Sequence, residues 1–168
     1  ATLRDAGVKN VAIAKFTHSG SQIIDWTPEG SAAKSRNLFP AFINFVDESI
    51  QELQDKGHEV ELAGIFYHIG ENDMSWGAFR RDAPQRVMSL VTSSRKALAL
   101  PDLKWYVSQQ PPTDDERVNK IDVTAELERA FAADANLIHI KAFDLPKQDK
   151  KLVIDTNGIV RLGERIAK

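Results

Sequence analysis

At 168 residues the chain has the length of one domain, enough to bury a substantial core. Hydrophobic residues make up 42% and charged residues 27%, and the net charge of −2 comes from mixed signs, which gives no support to a nucleic-acid or membrane surface. The absence of cysteine excludes disulfides, thiolate metal sites and a cysteine nucleophile; no apolar run reaches membrane-spanning length, and no signal peptide is visible.

Thr2 to Ala6 reads as the end of a helix closed by Gly7. Asn10 to Phe16, with Val11, Ala12, Ile13 and Ala14, reads as a buried strand that runs into the polar turn Thr17–Ser21. Thr27 to Asn37, with Pro28 and Gly30, reads as a loop. Phe42, Val46, Ile50 and Leu53 then recur at helical spacing and stop at Lys56-Gly57, and Pro40 suits the first turn. Gly64 to Tyr67 is an apolar run without alternation, as in a buried strand, and Gly70 can turn the chain where it ends. A strand, a helix and a strand in succession imply parallel pairing with a right-handed crossover.

Met74 to Ala78 reads as a connection. Asp82 is expected to cap a helix with Pro84 near its start and Val87, Leu90, Val91 and Leu98 as its apolar stripe. Leu103 to Ser108 reads as the next strand, with Gln109 to Thr113 a loop at its carboxyl end. Ile121 to Ala133 is predicted helical and Leu137 to Ile140 a short last strand, within which His139 is expected to be a hydrogen-bonded core or rim histidine. Phe143 to Lys151 reads as a solvated loop. Asp155 to Gly158 offers caps for a final helix carrying Ile159, Leu162 and Ile166. Strands alternating with helices argue for an open α/β sandwich forming a single domain over residues 1–168. No Gly-x-Gly-x-x-Gly or Walker loop supports nucleotide binding.

The chemistry gathers in Ala63 to Asp73, where His68, Glu71, Asn72 and Asp73 offer a base, two carboxylates and an amide at the end of a strand. Ligands of open parallel sheets bind at the carboxyl ends of strands. Gly70-Glu71-Asn72-Asp73 resembles the Gly-x-Asn-Asp block of the SGNH (GDSL-type) hydrolases. Tyr67-His68-Ile69-Gly70-Glu71-Asn72-Asp73 more closely resembles the Trp-His-Gln-Gly-Glu-Ser-Asp signature of their carbohydrate O-acetylesterase branch, which includes the sialate O-acetylesterases. Lys15 to Trp26 resembles that family's second block, with a lysine and aromatic, a Gly-Gly-Thr-like turn and Asp-Trp. Gly158 to Ala167 resembles its last block, so the resemblance spans roughly Val11 to Ala167.

The resemblance implies a flavodoxin-like, three-layer α/β sandwich with a mainly parallel sheet. It implies hydrolysis of an acetyl ester on a carbohydrate by a serine nucleophile, without metal or organic cofactor. Gly20 and Asn72 would donate to the oxyanion, Glu71 would orient a histidine, and His68, Asp73 and Gln109 would meet substrate. Against these stand plainer readings: a strand-to-loop turn at Gly20, a bracing His68 and ordinary loop polarity at Gln109. Gly20 and the Gly70–Asp73 turn are expected on one rim of the sheet.

Parts of the family pattern are missing. Ile69 stands where the esterase branch has glutamine. No first block with its nucleophilic serine is found; Ser19 and Ser21 belong to the second block. Counting back from Gly158 puts Val153 where the catalytic histidine is expected, and valine accepts no proton. The domain is therefore expected to be N-terminally incomplete and to lack the sheet's first strand. A separate N-terminal segment or a partner strand would fill the slot. The expected function is an esterase-like domain that is inactive as this chain alone. The alternative is a non-catalytic carbohydrate-binding or structural relative. No nucleic-acid or membrane partner is expected, and a secreted or periplasmic location is compatible.

Overall fold

The computed structural model describes residues 2–5, 7–32, 36–110, 123–146 and 154–167. In chain order these form a short α1 (Thr2–Asp5), a 3-10 turn (Ile23–Trp26), α2 (Phe39–Asp55), β1 (Ile65–Ile69), α3 (Glu71–Ser75) and α4 (Gly77–Ala97). There follow β2 (Trp105–Gln109), α5 (Thr124–Ala132), β3 (Leu137–Lys141) and α6 (Thr156–Ile166). The strands make one parallel sheet in the order β1-β2-β3, with Ile65 opposite Trp105 and Trp105 opposite Leu137. Each connection carries a helix, as parallel neighbours require.

Side-chain alternation assigns the two faces. Ile69, Trp105, Val107 and Leu137 look one way, into a core shared with Phe42 and Val46 of α2, Leu90 and Val91 of α4, and Leu127 and Phe131 of α5. Tyr106, Ile138 and Ile140 look the other way, onto Leu162 and Ile166 of α6. Helices on both faces make this a three-layer, flavodoxin-like α/β fold. The second face is covered only in part, and Phe66 on β1 is 42% exposed.

Sequence signals set several boundaries. Pro40 lies in the first turn of α2, and the chain leaves that helix through Lys56 and a left-handed Gly57 at φ +82°. Asp155 caps α6, its carboxylate accepting the Gly158 N–H at 2.8 Å. Gly158 is needed there for a second reason. A Cβ at this position would run into the Pro146 carbonyl and the Ile154 side chain.

Other expectations need correction. Val11 to Phe16 is not a strand: it pairs with nothing among the described residues, and Val11 and Ile13 are 44% and 84% exposed. Without a ladder partner, an extended segment keeps its backbone polar groups in water. Only Phe16 is drawn in, stacked on Phe45 at 5.2 Å and edge-on to Trp26 at 5.6 Å. The connection expected after Asp73 is instead the single-turn α3 followed directly by α4, which starts at Gly77 rather than beside Asp82. Asp82 pairs with Arg86 one turn on, at 2.8 Å, and Pro84 sits buried inside the helix. His68 and Gln109 lie within strands rather than beyond them. Val153 and the Pro111–Thr113 part of the predicted loop fall outside the described residues.

The register also defines a free edge. The Ile65 N–H donates to the Lys104 carbonyl at 2.9 Å, so alternate residues Phe66 and His68 turn their backbone groups to the other side of β1. Among the described residues no strand meets them there.

Candidate functional site

The chain reverses at Gly70, which is extended at φ −72° and ψ 167° and leads into α3 with Glu71 and Asp73 in its first turn. Carboxylates are favoured at that end of a helix. Asp73 nevertheless points inward. Only 1% exposed, it accepts the Ile23 N–H with both carboxylate oxygens, at 3.1 Å each. One bond thus ties the segment after Gly20 to the segment after β1, across fifty positions of sequence.

The turn that supplies Ile23 is built locally. Asp25 accepts the Gln22 N–H at 2.9 Å and meets Arg36 at 3.1 Å. Ser21 Oγ takes the Trp26 indole N–H at 3.0 Å, and Trp26 packs edge-on to Phe42 and Tyr67. Gly20 lies just before this, in an exposed turn at φ +68°, a backbone conformation suited to glycine, and its carbonyl accepts from Arg36 Nη2.

Electrostatics at the junction are unusual for side chains so deeply buried. Burial pushes the Asp73 carboxyl up to about 7, against the Ile23 N–H and the Arg86 charge, which favour its ionised form; the like charge of Asp25 adds to the rise. Burial, then the charges of Asp73 and Asp25, hold the Tyr67 hydroxyl well above its usual range.

His68 stands in register opposite Ser108 on the less covered face. Its Nδ1 lies 2.5 Å from Ser108 Oγ, and its Nε2 lies 2.9 Å from the Gln110 amide nitrogen. If the amide is oriented this way, Nε2 accepts and Nδ1–H donates to the serine. Burial lowers the His68 pKa while the Glu71 charge pulls the other way. Ser108 is fully buried, so the pair braces two strands and does not present a nucleophile.

Gln109 is fully buried and turned into the protein, its Nε2 donating to Thr124 Oγ1 and its Oε1 meeting His139 Nε2, both at 3.0 Å. The expectation of an open loop position at Gln109 is thereby corrected: both ends of its amide are engaged within the fold. His139 is half-buried and packs edge-on to Phe131, as a hydrogen-bonded strand histidine. Glu71 and Asn72 are half-buried beside the junction. A cleft of about 490 Å³ lies at the opposite, amino end of the strands, lined by Ile50, Val60, Leu62, Leu100 and Leu103, away from these groups. Among the described residues no cluster of His, Asp and Glu could hold a metal ion, and no helix is long and apolar enough to cross a membrane.

This arrangement can be set against known proteins. The family model for the carbohydrate esterases described as sialic acid-specific acetylesterase matches residues 1–168. The chain belongs to that family. No curated protein matches it. Among solved structures, it is similar to the 1.6 Å X-ray structure of a protein from Arabidopsis thaliana, with a TM-score of 0.64 and 19% identity over 88% of this chain. At that identity the likeness bears on the fold alone. The chain spans 55% of the Arabidopsis chain.

The structure thus joins the Lys15–Trp26 and Tyr67–Asp73 stretches through Asp73 and Ile23. The strand expected ahead of the Gly20 turn is absent from the described residues. Ile23 and Ser108 are not singled out in the sequence; Asp25 enters only through the Asp-Trp pair of the resemblance, and Gln110 only as part of the loop expected after Ser108. For Ser108 the available signal is its place in the polar run Ser108-Gln109-Gln110 that ends an apolar strand.

Proposed function

We propose that this chain is a carbohydrate O-acetylesterase domain of the serine-hydrolase kind, and that it is inactive by itself. The supporting observation is the Asp73–Ile23 junction, because it gathers the Gly20 turn and the Gly70–Asp73 turn at the end of β1. In this reading the Gly20 N–H and the Asn72 amide stabilise the oxyanion, and Glu71 orients the base. Asp73 serves substrate binding indirectly, by fixing the turn. His68 lines the rim while bracing it, and Gln109 supports the rim from beneath.

The reaction follows the usual two halves. A serine Oγ bonds to the acetyl carbonyl carbon as a histidine takes its proton. The ester C–O bond breaks, and the sugar hydroxyl leaves with that proton. Water then attacks the acetyl-serine, and acetate is released. The serine and histidine are assigned to no residue described here. We place the serine on a further strand lying along the free edge of β1, where no strand among the described residues meets the Phe66 and His68 backbone groups and Phe66 offers apolar surface. Such a strand comes from an N-terminal segment or a partner chain.

The alternative is a non-catalytic carbohydrate-binding relative. It is favoured by Val153 in the counted position of the histidine and by the protein partners already at both ring nitrogens of His68.

The deciding assay is hydrolysis of an aryl acetate and of an O-acetylated sugar by the purified protein, with and without a serine-bearing strand segment. No turnover above background is expected from the chain alone, and turnover is expected with the segment. Turnover by the chain alone, abolished by Glu71→Gln, would show that the nucleophile and base lie within it. Sugar binding without turnover under every condition would favour the alternative.

A further inference from the structure

Ile23 is fully buried and Asp73 nearly so. An ionised carboxylate offers about four acceptor sites. Here both oxygens share one N–H from another element, with only the backbone N–H of Asp73 itself beside it, and no ion pair reaches Asp73 among the described residues. A buried carboxylate with so few donors either keeps a proton or seeks water.

The charged and titratable neighbours do not remedy this. From the Gln22–Trp26 turn comes Asp25, a like charge tied to Gln22 and Arg36. From β1 comes the buried Tyr67. From α4 comes Arg86, attractive but paired with Asp82, and Arg80, whose Nη1 donates to the Met74 carbonyl at 3.1 Å. On α3 itself, Glu71 acts on His68.

We propose that the Gln22–Trp26 turn is a latch pinned by Asp73, and that it opens when this carboxyl loses its proton and takes up water. Closed, the turn holds a carboxyl whose pKa is about 7 rather than 3.8. Open, the hydrated group returns toward its ordinary value. The open form therefore binds fewer protons, and opening becomes more favourable as pH rises from 3.8 to 7, then levels off. Between pH 6 and 8 the opening constant should grow roughly tenfold. The turn begins two residues after Gly20, so on the esterase reading the latch controls the oxyanion side of the site. The latch itself does not depend on that reading.

The test is amide hydrogen exchange on the intact protein, read by NMR as protection factors at Ile23 and at Val107 in the centre of the sheet. Ile23 protection should fall roughly tenfold from pH 6 to pH 8 while Val107 stays more strongly protected, and Asp73→Asn should remove the pH dependence. Ile23 protection that ignores pH would overturn the latch. So would equal protection at Ile23 and Val107, which would mean that both open only by global unfolding. Should Asp73→Asn fail to fold, the Asp73 carboxyl carbon shift in the native protein decides. A midpoint near 7 supports the latch, and one near the ordinary 3.8 overturns it. None of these readouts uses esterase activity.

Discussion

His68 and Ser108 face each other in register across β1 and β2, with Nδ1 2.5 Å from Oγ. In an open cleft such a pair would suggest a nucleophile and its base. Here the serine is fully buried and the imidazole's other nitrogen is engaged with Gln110, so the contact joins two strands. Ser108→Ala leaves a buried ring nitrogen without its partner and should cost about 1–3 kcal/mol. Urea denaturation checks this. The double variant Ser108→Ala/His68→Leu should lose less than the sum of the two single changes, because removing both partners leaves less unsatisfied polarity.

Asp73 and the histidines pull stability in opposite directions with pH. The raised Asp73 pKa means that its contribution is fully present below 3.8 and is lost as pH rises to about 7. The lowered values of His68 and His139 mean that theirs is present above 6.5 and declines as pH falls below it. Asp73→Asn isolates the first effect. Relative to the unmodified protein, this variant should gain about 2–3 kcal/mol of stability on going from pH 5 to pH 8. Denaturation midpoints at the two pH values read this directly, and a constant difference between the proteins would contradict it.

At Gly158, a methyl group would have to displace the Pro146 carbonyl and the Ile154 side chain. Backbone yields poorly, so Gly158→Ala should destabilise by about 1–3 kcal/mol even though alanine has the better helix propensity. The shift in thermal midpoint measures it.

Phe66 separates the stability of the chain from assembly at its sheet edge. It is 42% exposed on the less covered face. Phe66→Lys should therefore change stability by no more than about 0.5 kcal/mol. The same change should weaken docking of a strand along β1, since charged side chains discourage edge pairing. Calorimetric titration of the protein with the serine-bearing segment tests the second part. Equal affinity for both proteins would move the proposed docking site elsewhere.

Local sequence determined much of this protein. The apolar stripe of α2 with Pro40 and Gly57, the continuous apolar runs of β1 and β2, and the Asp155 cap of α6 depend on spacing and cap chemistry within a few residues, so each is legible in order. The cluster His68 to Asp73 was visible for the same reason. Tertiary structure decided the rest. Val11 to Phe16 has a strand's composition, but a strand also needs a neighbour to share its hydrogen bonds, and none meets it among the described residues. Asp73 reads as a rim carboxylate from its place after Gly70, yet its role comes from Ile23, fifty positions away, and its pKa from burial by β1, α4 and the turn. Ser108 reads as the end of a strand and Gln109 as a loop residue meeting substrate until His68, His139 and Thr124 are brought beside them. Periodicity reports which face a residue belongs to; only the packed chain reports what meets it there.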